Sequence, residues 1–131
     1  MPNLIITDCD IGSVPLEVTG TLDGILENSA VTAETFLPGT LLARGVDGHF
    51  YPYDPGDVAL DTPVYVLTYE VIVPGASEAS VTVMTAGKVN QNRLVIHDGS
   101  PITADILDLL LNRSIIPVDV KQLGATDNPQ S

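Results

Sequence analysis

Asp8 and Asp10, in the stretch LIITDCDIGSV, are the residues whose type and spacing come nearest to catalytic chemistry. An apolar strand ending in Asp-x-Asp can offer one carboxylate as a nucleophile toward phosphorus and a second to move protons. Such a site needs alternating strands and helices to hold it at the end of a parallel strand, and this sequence lacks that alternation. The same acids fail as a calcium loop. With Asp8 in the first position, the twelfth, where a bidentate glutamate is required, is Thr19. His49 and His97 have Asp47, Asp54 and Asp98 near them in sequence, but without helical ligand spacing. Cys9 is the single cysteine and can complete neither a disulfide nor a cysteine zinc site. No phosphate loop, dinucleotide fingerprint or nucleophile motif appears. The expectation is therefore no enzyme, no metal site and no cofactor.

Charge narrows the partners. The 131 residues carry 17 acids against 5 bases, a formal net charge of -12. Arg44, Lys88, Arg93, Arg113 and Lys121 are scattered singly. Binding to nucleic acid needs a clustered basic surface, so no nucleic-acid partner is expected. The acidity suits a protein that stays soluble at high concentration or meets a complementary basic surface. MPNLIITDCD has neither the basic flank nor the apolar run of a signal peptide. No segment reaches membrane-spanning length. The chain is expected in the cytoplasm where it is made until it joins something larger, with no membrane partner.

These residues must be positioned by a mainly β chain. Residues 1–36 hold six acids and no base, and Gly12, Pro15, Gly20 and Gly24 interrupt their apolar pieces. They read as an extended N-terminal arm, with a built-in hairpin over LEVTGTLDGIL as the alternative. Regular signals begin at Leu37. GTLLAR predicts a strand, Asp47-Gly48 a hairpin turn, and HFYPY a second strand whose Pro52 marks an edge or an end. PVYVLTYEVIV predicts one long central strand. PGASEA predicts a loop, SVTVMTAGKV a half-buried strand, NQN a turn and RLVIH a short strand. Ser100 as cap, Pro101 in the first turn and the spacing of Ile102, Ile106, Leu109 and Leu110 predict a helix to about Asn112. SIIPVDVKQL predicts a final strand, and residues 124–131 a polar tail.

The order LPGTLLARGVDGHFYPYDP, a long apolar strand, VTVMTAGKVNQNRL, a helix and SIIPVDV resembles the lambda-type head decoration proteins of tailed bacteriophages. The resemblance rests on Leu41, Ala43, Arg44 and Gly45, on Tyr51-Pro52-Tyr53-Asp54-Pro55, and on Gly87-Lys88-Val89. It covers about 37–123. It implies a small β-barrel-like domain over 37–123 with one C-terminal helix, an arm over 1–36 and a tail over 124–131. It also implies a homotrimer on the outer surface of the expanded capsid, bound to the major capsid protein and stabilising the coat lattice. Leu4, Ile5 and Ile6 would be the capsid-binding part of the arm. Phe50, Tyr51, Tyr53 and Tyr65 would supply packing area within the domain or between subunits. The alternative of another class is a small β-barrel ligand-binding module, which calls for a solvent-open apolar pocket.

Overall fold

The computed structural model describes residues 14–57, 60 and 62–119. Eight strands and one α-helix make up the described chain: β1 (Pro15–Asn28), β2 (Glu34–Phe36), β3 (Leu41–Arg44), β4 (Phe50–Pro52), β5 (Tyr65–Leu67), β6 (Val71–Val73), β7 (Ser77–Asn90), α1 (Ala104–Leu111) and β8 (Ile115–Val118). The described fold is thus mainly β, with one α-helix toward the C-terminus and a 3-10 turn at Gln91–Arg93. No helix among the described residues is long and apolar enough to cross a membrane.

Six strands form one sheet in the order β1-β4-β3-β5-β7-β8, and β1 also pairs with β7. The hydrogen-bonded order therefore returns on itself, which makes the sheet ring-like rather than a regular barrel. The ring closes weakly on one side, since β1 meets β4 at the single pair Leu26–Phe50. It closes strongly on the other, where β1 and β7 run antiparallel over their whole length. One edge of β7 carries β1, and the other carries β5 at Val83–Met84 and β8 at Gly87–Asn90. β2 and β6 pair separately as a two-stranded sheet.

Alternation along the strands sends successive side chains to opposite faces, and here both faces are buried. Leu41, Val66 and Met84 belong to a core shared with Ile106 and Leu110 of α1 and Ile115 of β8. Their sequence neighbours Leu42, Leu67 and Val83 belong to a second core with Leu26, Phe36, Phe50 and Val73. That double burial is why β3 and β5 read as short unbroken apolar runs without a polar face.

Three expectations need correction. Residues 15–28 are not part of a free arm: they form the longest strand of the sheet together with β7, and Asn28 donates from its side chain to the carbonyls of Val73 and Pro74 at 3.1 Å. The glycines that look like breaks are close approaches, for a Cβ at Gly20 would stand 2.7 Å from Thr85 Oγ1 and one at Gly24 would enter the Phe50 ring. The strand expected over Pro63–Val73 is two strands in two sheets, β5 and β6, separated at Thr68–Glu70. The expected loop PGASEA is half strand, because Ser77–Ser80 pairs with Ile25–Asn28. Smaller shifts follow the same logic. The helix is capped by Thr103, whose hydroxyl accepts from the Ile106 N–H, and not by Ser100. RLVIH makes a lone bridge from Val95 to Thr40.

Candidate functional site

The hairpin of β3 and β4 brings the most polar chemistry together. Gly48 takes φ +86, the left-handed conformation that glycine adopts at little cost. Asp47 accepts the backbone N–H of His49 at 3.0 Å and the hydroxyl of Tyr51 at 2.6 Å. These two bonds, Tyr51 first, hold the Asp47 carboxyl below its usual range. The same bond pushes the Tyr51 phenol up to about 12. His49 is turned toward β1, where its Nδ1 meets Glu27 Oε2, with Asp47 Oδ2 3.8 Å away. The bond to Glu27 raises the pKa of His49, and the charges of Asp47, Glu27 and Glu78 act in the same direction against desolvation.

Glu27 and Glu78 are direct cross-strand partners on β1 and β7. Carboxylate oxygens of both and a ring nitrogen of His49 all lie within 4.8 Å of one another. The sequence expectation about metals considered His49 with Asp47, Asp54 and Asp98. The fold instead gives His49 two glutamates, 22 residues before it and 29 after. His97 goes elsewhere: its Nε2 lies 2.7 Å from Glu34 Oε1 and its ring stacks on Phe36 at 4.3 Å.

Between these two histidine pairs lies a cleft of 260 Å³ whose lining includes Glu27, Glu34, Tyr51, Tyr53, Asp54 and Asp98. Four carboxylates rim a lining that is otherwise largely apolar, and two of them, Glu27 and Glu34, are already paired with His49 and His97.

The four aromatic residues singled out in the sequence divide by depth. Phe50 and Tyr53 are buried inside the chain, Phe50 in the core with Leu26 and Tyr53 in the core under α1. Tyr65 packs half-buried against Phe50, the rings 4.9 Å apart and tilted by 59°. Tyr51 is half-buried and spends its hydroxyl on Asp47. Leu4, Ile5 and Ile6, with Asp8, Cys9 and Asp10, lie outside the described residues, as does the tail 124–131.

A second surface stands out by what is missing around it. β4 touches the outer edge of β1 at Leu26 alone, so from Leu16 to Ile25 that edge has no strand partner among the described residues. Val18 and Leu22 on the same stretch are 46% and 38% exposed. Unpaired strand edges beside apolar side chains invite another strand. Sequence reasoning missed this edge because the glycines and acids of β1 hide its strand period. No family model matches the chain, and neither does any curated protein sequence.

Proposed function

We propose that the chain is a structural capsid component: a decoration protein that binds the expanded phage head as a homotrimer and cements neighbouring coat subunits, without catalysis. The major capsid protein is its partner, and the outer surface of the virion its place of action. The observation that carries this reading is the outer edge of β1 between Leu16 and Ile25, which has no strand partner among the described residues, with Val18 and Leu22 exposed beside it. An edge of ten residues can accept a strand from a neighbour through backbone hydrogen bonds, with apolar contacts adding specificity. Cementing follows by linkage, because a protein that binds the expanded lattice alone stabilises that lattice. Three copies on one three-fold site would engage at high effective concentration, so weak single contacts suffice.

The sequence resemblance supports the same reading. Its first elements fall on the hairpin β3–β4, and its Gly87-Lys88-Val89 falls on β7 where β8 joins in parallel. Gly87 has a physical reason to be glycine there: φ is +135, and a Cβ would collide with the backbone carbonyl of Glu17. The ligand-binding alternative is less well supported, since the cleft beside Tyr53 is rimmed by acids.

The test is co-sedimentation of purified protein with expanded heads, for the full chain and for a chain lacking residues 1–12. β1 begins at Pro15, so the truncation removes none of the described strands. The proposal expects saturable binding by the full chain, weaker binding by the truncated oligomer, which keeps the β1 edge but lacks Leu4, Ile5 and Ile6, and loss of binding in the double variant Val18→Lys/Leu22→Lys, which places two charges beside that edge. Absence of binding by the full chain would overturn it.

A further inference from the structure

We propose that Glu27, His49 and Glu78 form a surface site for one divalent transition-metal cation of the Zn²⁺ type, a role independent of the capsid reading. The triad is held by backbone, not by chance contact of loops. Glu27 and Glu78 are cross-strand partners in the long β1–β7 ribbon, and His49 directly precedes Phe50, whose partner on β1 is Leu26. One donor atom from each residue lies within 4.8 Å of the other two, a separation that small side-chain rotations close onto a common ion.

Two carboxylates directly opposite on antiparallel strands repel each other. Among the described residues no lysine or arginine offsets that repulsion. Lys88 pairs with Glu17 at 3.8 Å on the far part of the ribbon, and Arg44 reaches toward Tyr65 Oη at 3.5 Å. His49 engages Glu27, whereas the exposed Glu78 carboxylate is in no ion pair among the described residues. A dication offsets both charges at once.

Ligand chemistry chooses the ion. One imidazole with two carboxylates is a nitrogen and oxygen set that suits Zn²⁺ and its neighbours. Ca²⁺ takes six to eight oxygens, and Mg²⁺ holds its waters too firmly to favour an imidazole. Three protein ligands leave a fourth position open to solvent, since Glu78 is exposed. Asp47 Oδ2, held by Tyr51 and 3.8 Å from the same Nδ1 that faces Glu27, adds a third negative charge beside the site.

The experiment is calorimetric titration of ZnCl₂ into the untagged full-length chain, freed of metal with a chelator and exchanged into a non-chelating buffer. The visible spectrum of added Co²⁺ gives a second readout. Expected are one Zn²⁺ per chain, at least tenfold weaker binding in Glu78→Gln and in His49→Gln, and unchanged binding in His97→Gln. Circular dichroism establishes that each variant is folded, and the exposed position of Glu78 makes Glu78→Gln the safest of them. Absence of saturable binding, or equal binding by wild type, Glu78→Gln and His49→Gln, would overturn the site. Saturable binding of Ca²⁺ in place of Zn²⁺ would overturn the choice of ion.

Discussion

Gly24 of β1 lies so close beneath the ring of Phe50 in β4 that a Cβ at Gly24 would overlap the ring atoms Cζ and Cε2. Phe50 is fully buried and pairs across the one-residue seam with Leu26. This contact closes the ring of strands, and it makes the N-terminal segment from residue 15 onward part of the core.

Gly24→Ala is therefore expected to destabilise the protein by about 1 to 3 kcal/mol, the usual cost of forcing extra volume into a packed site. Urea denaturation of wild type and variant measures it. Equal midpoints would mean that β1 does not pack against Phe50.

The aromatic residues of the hairpin should separate by role. Phe50→Ala removes a buried ring from the core and is expected to cost about 3 to 5 kcal/mol. Tyr51→Phe removes one hydrogen bond at a half-buried position, the 2.6 Å bond to Asp47, and is expected to cost less than about 1.5 kcal/mol. A larger loss for Tyr51→Phe than for Phe50→Ala in the same denaturation assay would contradict this assignment.

Acid stability gives a separate check on the approach to α1. Ser100 donates to Asp98 from its backbone at 2.8 Å and from its hydroxyl, which holds the carboxyl below its ordinary 3.8. A carboxyl depressed in the folded state binds its proton more readily when unfolded. Its stabilisation is full above the unfolded value and fades as pH falls through the folded one. Asp98→Asn should therefore be less stable than wild type near neutrality, with the gap narrowing below about pH 4. Denaturation midpoints at a series of pH values test this, and a gap independent of pH would refute it.

How much of this was legible in the sequence depended on how local the cause was. The hairpin turn at Asp47-Gly48, the helix after Pro101 and the strand at Ile115–Val118 were written in short-range signals: a positive φ at glycine, an apolar helical period, though with its cap at Thr103 and not Ser100, and a β-branched pair after a helix stop. β1 was not, because its strand character comes from β7, some sixty residues away, and its glycines serve neighbours such as Phe50 and Thr85. The break between β5 and β6 was hidden for another reason. Residues buried on both faces erase the alternation that would show where one strand ends, and Tyr69 in the break accepts the Thr82 N–H at 2.9 Å through its hydroxyl. The triad was the least legible feature. Glu27, His49 and Glu78 meet through the β1–β7 register and the single Leu26–Phe50 pair, and neither is a local property.

The central claim, a trimer that recognises the expanded capsid, is tested most directly by solution mass measured together with head binding. Sedimentation equilibrium of the purified protein, followed by co-sedimentation with unexpanded and expanded heads, supplies both in one series. The account predicts three times the 13.8 kDa of one chain and binding to expanded heads alone, since all three contacts need the mature spacing. A monomer that binds both forms of the head equally would contradict it.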